Sequence, residues 1–298
     1  MLVNEEKFQN IVNSFAKSAK LISWQVMKGG SSTDVFLLKI QQKNEILKYV
    51  LRTEGPKPAE NNTKVEFALL NSLYLQNIPV SKPVYLDISC KIIDKPFMIM
   101  TYLDGDIDSP DNKDLNSISK MVEALKIIHG IDISALPQLS LRIDPLSNIE
   151  TLLPSGAEWD DLKTFLLSLS GQRYKGKSVL LHGDFWSGNI LWENNEIAGI
   201  LDWEYAAFGD PLCDVAASCL EVRYEFGKEL MTTFKDTYSN FLPIDNFRYS
   251  LWLIYIAAST LYHIHQWNIS KEKEALIKKE TVNVINEEFE SLLHQSKE

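Results

Sequence analysis

The chain has 298 residues, 45% of them hydrophobic and 23% charged, which suits one large globular domain or two lobes. Its formal net charge of −10 argues against nucleic acid or an anionic membrane surface as a partner. Cys90, Cys213 and Cys219 form no Cys-x-x-Cys pair, and the N-terminus shows no basic head before an apolar core, so reduced thiols in a cytoplasm and no signal peptide are expected.

In chain order, Phe8, Ile11, Val12 and Phe15 recur at helical spacing within 4–20 and predict an amphipathic helix. Ile22 to Met27 and Asp34 to Ile40 read as strands around the polar turn Lys28-Gly29-Gly30-Ser31-Ser32-Thr33. Glu45 to Thr53 alternates and puts Lys48, Val50 and Arg52 on one face of a third strand. Gly55-Pro56-Lys57-Pro58 breaks it, and a helix with Val65, Ala68, Leu69 and Leu73 as its stripe follows over 63–75. Val84 to Asp87 and Pro96 to Tyr102 are two more strands. Beyond Asp106 the periodicity turns helical. Leu115 to Ile128 lines one helix face, with His129 at its end near the last carbonyls. Residues 136–153 show no clear period, and 159–169 reads as another helix. Asp210-Pro211 reads as an N-cap with proline in the first turn. Helices are then expected over 220–238, 247–267 and 271–294. The apolar run 251–261 is too short to span a bilayer and reads as a buried helix.

The most informative stretch is 178–204, SVLLHGDFWSGNILWENNEIAGILDWE. A buried strand leads into a loop carrying His182, Asp184 and Asn189. Ile190 to Trp192 and Ile197 to Leu201 then flank Glu193 to Glu196 as a hairpin with a four-residue turn. Its closed ends place Asn189 beside Asp202, with Asp184 on the same rim. Two oxygen ligands at one point suit Mg²⁺, which keeps waters and phosphate oxygens in its shell. A separate acid suits a base that orients a hydroxyl. His-x-Asp-x-x-x-x-Asn, then Asp after a hairpin, is the spacing of a kinase catalytic loop and metal loop.

His-Gly-Asp-Phe-Trp-Ser-Gly-Asn-Ile-Leu-Trp followed by Ile-Leu-Asp-Trp-Glu resembles the aminoglycoside phosphotransferase and choline kinase-like family of small-molecule kinases. The resemblance implies an α/β (α+β) bilobal protein-kinase-like fold. Its β-rich N-lobe would cover 1–103 and its mostly helical C-lobe 104–298. It implies transfer of the γ-phosphoryl group of ATP, or of GTP, to a hydroxyl of a small molecule such as an aminoglycoside-type antibiotic. A choline-like amino alcohol, a sugar, a macrolide, homoserine, or nucleotide binding without turnover are the alternatives. Asp184 would be the catalytic acid-base residue, and Asn189 and Asp202 would hold Mg²⁺. Ser31, Ser32 and Thr33 would lie over the phosphates, although the Gly-x-Gly-x-x-Gly loop of protein kinases is missing. Arg52 takes the strand position of the phosphate-binding lysine, with Val50 against the adenine. Arginine is a fork and lysine a point charge, so the two will not sit identically. Glu66 either pairs with Arg52 or closes a capping box with Thr63. Met100, Thr101 and Leu103 match the hinge, where backbone groups read the adenine edge. His182 would support the loop by hydrogen bonds. Asp214 is either a brace for that loop or a plain first-turn acid. Glu221, Tyr224, Glu225, Trp252, Tyr255, Tyr262, His263 and Trp267 either line the acceptor site, with cation–π contact to an ammonium, or belong to the core.

Overall fold

A computed structural model describes residues 5–27, 33–55, 60–107, 115–169, 171–267 and 269–296. The chain forms two compact units. One comprises Met1–Ile107, Ser134–Leu139 and Asn189–Ala206, and the other Asp108–Ile133, Ser140–Gly188 and Ala207–Glu298. A single boundary at residue 103 is thus not what the chain shows. Residues 189–206, assigned by sequence to the helical half, pack with the sheet.

The first unit holds helix α1 (Glu5–Phe15) and strands β1 (Lys20–Val26), β2 (Thr33–Gln42) and β3 (Glu45–Glu54). Helix α2 (Thr63–Leu75) and strands β4 (Pro83–Asp87) and β5 (Phe97–Thr101) follow. The five strands pair in the order β1-β2-β3-β5-β4, every neighbour antiparallel. The apolar stripe of α1 explains its place. Phe8, Ile11 and Val12 are buried together with Leu38, Ile40, Leu51, Phe97 and Ile99, and Phe8 stacks on Trp24 at 4.5 Å. Burial of such a side chain stabilises by about 1.5–3 kcal/mol. Strand β3 has partners on both sides, so Arg52 stands between Val35 and Met98 in mid-sheet.

The same unit holds the hairpin of Ile190–Glu193 and Glu196–Ile200. Its turn has two residues, not four. Asn194 and Asn195 both take positive φ, 51° and 62°, which lets Glu193 and Glu196 join the ladder. Asparagine tolerates that conformation, and two such residues match the twist of the flanking strands. The hairpin is stitched to this unit by backbone bonds. Ile200 N–H donates to the Pro79 carbonyl at 2.7 Å, and Asp106 and Trp192 exchange two bonds of 2.9 Å.

The second unit is helical: α3 (Leu115–His129), α4 (Ile149–Leu152), α5 (Asp160–Ser168), α6 (Leu212–Phe226), α7 (Lys228–Ser239), α8 (Asn246–His263) and α9 (Lys271–Gln295). A two-stranded ribbon pairs Val179–Leu181 with Ala207–Gly209. The single helix expected over 220–238 is two helices. They break at Gly227, whose φ of 88° suits glycine and ends α6. The N-cap of α6 is Pro211 and not the expected Asp210, which lies one residue earlier and accepts from Leu212 N–H at 3.0 Å through one carboxylate oxygen. Its other oxygen accepts from Arg248 Nε and Trp252 Nε1, both at 2.7 Å. That contact makes Trp252, 1% exposed, part of the core and not of an acceptor surface. No helix among the described residues is long and apolar enough to cross a membrane. Cys213 and Cys219 are buried thiols and Cys90 an exposed one.

Candidate active site

The hairpin sets the first constellation. Leu201 N–H donates to the Asn189 carbonyl at 2.8 Å, closing the open end of the ribbon next to Asp202. Asp202 then takes a left-handed conformation, φ 62° and ψ 67°, at the start of a short turn over Trp203–Tyr205. Asp is among the few residues that adopt it, and such backbone strain gathers at functional sites.

Arg52 enters this constellation from β3. Its Nη1 donates to Glu66 at 2.5 Å, and its Nη2 donates to both Asp202 and Glu204 at 2.8 Å. Of the two readings of Glu66, the structure therefore shows the pair with Arg52. The helix cap is Asn62, whose side chain accepts from Val65 N–H at 3.0 Å, so the capping box with Thr63 does not form. Thr63 instead bonds Glu54 through its hydroxyl at 3.0 Å. Asn61 holds the turn after Asp202, donating through its backbone and side chain to the Glu204 carbonyl and through its side chain to the Ala206 carbonyl.

One guanidinium thus faces three carboxylates. Burial disfavours the charge on Arg52, but Glu66, Asp202 and Glu204 outweigh it and hold its pKa above the ordinary arginine value. Burial pushes the Glu66 carboxyl up to about 7, with Arg52 opposing and the two neighbouring acids adding to the rise. Among the described residues the ion pairs set one cation against three acids. The Arg52 Nε is also buried with no hydrogen-bond partner among the described residues. An acid excess and an unused donor in one place fit a divalent cation together with phosphate oxygens. No three His, Cys, Asp or Glu side chains gather as metal ligands among the described residues. The two oxygen donors expected from the sequence, Asn189 and Asp202, are brought to the closed end of the ribbon, where the Asn189 carbonyl accepts from Leu201 N–H.

The second constellation lies in the helical unit. Asp214, in the first turn of α6 and fully buried, accepts from His182 N–H at 2.7 Å and Gly183 N–H at 3.0 Å. It braces the loop that carries Asp184, which settles its two readings. Asp184 N–H in turn donates to His182 Nδ1 at 3.3 Å, and the Phe185 carbonyl accepts from Ser218 at 2.7 Å. His129 ends α3 as expected, but its ring meets side chains from other elements and not the last carbonyls. It is 5% exposed, with Nδ1 at 2.7 Å from the Tyr238 hydroxyl and Nε2 at 3.3 Å from Asp214. Burial would raise the Asp214 pKa, but the hydrogen bond and charge of His129 and the contacts with His182 hold it below the usual carboxylate range. Glu221 and Glu225 lie on α6 downstream, Ser187 bonding Glu225 at 2.5 Å. Burial, with the charges of Asp184 and Glu225, pushes the Glu221 carboxyl up to about 8.

Of the other expected site residues, Ser31 and Ser32 lie outside the described residues, and Thr33 opens β2 opposite Glu54. Val50 pairs with Met100 across β3 and β5. Thr101 N–H is taken by the Lys82 carbonyl at 2.9 Å, so its donor is spent. Leu103 packs close to Gly199, where a Cβ would approach its side chain to 2.7 Å. Tyr224 bonds Thr281 at 2.6 Å, and Tyr262 and Trp267 are exposed. Sequence reasoning missed Glu204, Asn61 and Tyr238. Glu204 stood in plain view beside Asp202, but nothing in its spacing tells a buried acid from a solvated one.

A family model described as phosphotransferase enzyme family matches residues 23–251. The fold is similar to a Ralstonia eutropha JMP134 protein provisionally assigned as an aminoglycoside phosphotransferase, at 17% identity, TM-score 0.73 and 98% coverage of both chains. It is also similar to choline kinase LicA from Streptococcus pneumoniae, at 20% identity and TM-score 0.64, covering 95% of this chain and 99% of that one. A third is the thermostable mutant of aminoglycoside phosphotransferase APH(4)-Ia solved with ADP and hygromycin B, at 16% identity and TM-score 0.64, covering 93% and 97%. These likenesses establish a protein-kinase-like fold, with a sheet-bearing unit and a helical one. Among curated proteins, acyl-CoA dehydrogenase family member 11 of Rattus norvegicus is 28% identical over 225 residues, 66% of this chain. The match spans 28% of that relative's length.

Proposed function

This chain belongs to the phosphotransferase enzyme family and is a small-molecule phosphotransferase, and on that premise we propose that it moves the γ-phosphoryl group of ATP to a hydroxyl of a small molecule. The observation that carries the reading is the cluster at Arg52, where Glu66, Asp202 and Glu204 gather around a guanidinium whose Nε has no partner among the described residues. Arg52, steadied by Glu66, binds the phosphates that are not transferred. Asn189 and Asp202 hold Mg²⁺, which neutralises phosphate charge when bound. The polar stretch that includes Ser31, Ser32 and Thr33 is assigned to the phosphates on its sequence. Val50 and Met100 flank the adenine, and its edge meets the Thr101 carbonyl and the Leu103 backbone, because the Thr101 N–H is engaged. Asp184 orients the acceptor hydroxyl and takes its proton. The sheet-bearing unit thus serves the nucleotide and the helical unit the acceptor. The solved relative with ADP and hygromycin B supports a nucleotide donor and a small acceptor. Three free thiols fit a reducing compartment, the cytoplasm.

For the acceptor, the carboxylates of Glu221 and Glu225 near Asp184 favour an amine-bearing alcohol of the aminoglycoside or choline type. A second class comes from the curated relatives, whose names point to acyl chemistry: a hydroxyl on an acyl compound. A screen of Mg²⁺-dependent ATP and GTP consumption separates them. It sets amino alcohols, aminoglycosides, sugars, macrolides and homoserine against hydroxyacyl compounds. Turnover with an amine-bearing alcohol is the expected result. Nucleotide binding without turnover on any of them would leave a binding module and overturn the proposal.

A further inference from the structure

We infer that Glu204 is a positioning residue for Arg52, and that it is what allows an arginine to serve at the phosphate-binding position of β3. The inference rests on the phosphate-binding reading of Arg52. A guanidinium is a rigid planar fork and needs its plane fixed as well as its charge placed. Here two acids do this from different edges: Glu66 on Nη1 and Glu204 on Nη2. Asp202 shares Nη2 with Glu204, but the two are not equivalent. The Asp202 side chain is 23% exposed, and those of Glu66 and Glu204 are 4% and 3%. Asp202 is therefore the partner that Arg52 can give up to another ligand. Glu204 is the partner that stays.

The backbone supports this division. Asn61 fixes the Glu204 turn through three hydrogen bonds, to the carbonyls of Glu204 and Ala206. The next residue, Asn62, caps the helix that carries Glu66. Both acids that grip Arg52 are thus anchored at one corner of the chain. A lysine ammonium has no plane to fix and would not need the second acid.

The direction of the effect separates positioning from bystander charge. A carboxylate that merely sat nearby would repel the nucleotide, so neutralising it would tighten binding. A carboxylate that orients Arg52 does the opposite when neutralised. Glu204→Gln keeps the shape and removes the charge. We expect it to weaken nucleotide binding about tenfold by calorimetry, with and without Mg²⁺, and to raise the nucleotide KM while the acceptor KM stays unchanged. In an Arg52→Lys background, where no fork remains, the same change should have less than a third of that effect. Nucleotide affinity that is unchanged or tighter in Glu204→Gln overturns the inference, as does an equal loss in both backgrounds. Arg52→Ala provides the separate control. If it leaves nucleotide affinity intact, the phosphate-binding reading of Arg52 fails, whatever Glu204 does.

Discussion

The two constellations are both built around buried charge, but in opposite proportions. At Arg52 one cation faces three acids. At Asp214 one acid faces two backbone amides and a histidine. The second arrangement is complete: its acid is satisfied, its pKa is lowered, and its work is to hold a loop in shape. The first, among the described residues, sets three acids against one cation and leaves the Arg52 Nε without a partner. A buried ionic cluster that is not neutralised internally is expensive to keep, so its persistence argues for a ligand that completes it. The molecule thus separates a region that is organised before its ligands arrive from one that is organised to receive them.

The sharpest way to break that contrast is to remove one acid from each side. Asp184→Ala, on the loop braced by Asp214, is expected to lower kcat by about 10²- to 10⁴-fold and leave nucleotide affinity unchanged. Asp202→Ala is expected to cost about 100-fold in Mg²⁺-dependent nucleotide affinity. Steady-state kinetics and calorimetry read the two effects separately. Parental turnover in both variants would remove the enzyme assignment.

Next in size is Asp214→Asn. It should lower stability by about 1.5–3 kcal/mol, the range for hydrogen bonds to a charged group. Its pH dependence follows from the lowered pKa. The stability conferred by the Asp214 carboxylate is present above the unfolded value of about 3.9 and is lost as pH falls through the lower folded value. Urea denaturation between pH 2 and about 7 should show that acid limb flattened in the variant. A variant that keeps the parent's profile would mean that the loop is held by other contacts.

The smallest expected effect is at Glu221, whose carboxyl is raised to about 8. The folded chain holds a proton there that the unfolded chain releases near pH 4.3, so stability falls as pH rises between the two values. Glu221→Gln removes that penalty. Its melting temperature should drop less than the parent's between pH 6 and 9, the difference being on the order of 2–4 °C. Identical slopes would show that folding does not raise the Glu221 pKa.

Where alternation and spacing carried the signal, the chain was readable. The five strands of the sheet, the apolar stripe of α1, and the hairpin that sets Asn189 against Leu201 all follow from period and turn chemistry. Two failures share one cause. The break at Gly227 and the two-residue turn at Asn194-Asn195 are decided by local φ, which hydrophobic periodicity does not report. The partners of His129 and Trp252 were hidden for another reason. Both were judged by residue type along one helix, while their partners, Tyr238, Asp214 and Asp210, come from distant parts of the sequence. Glu204 was missed for the same reason, since its partner is 152 residues away.

The unequal exposure of the three cysteines has a practical yield. Burial pushes the Cys219 thiol up to about 12 and Cys213 is enclosed, so a maleimide dye at mild pH will select Cys90. That residue sits on the connection between β4 and β5, at a left-handed bend with φ 55°. The protein therefore carries a native single attachment point for a fluorophore on its sheet-bearing unit. Titrations of nucleotide could be followed by light with no engineered residue at all.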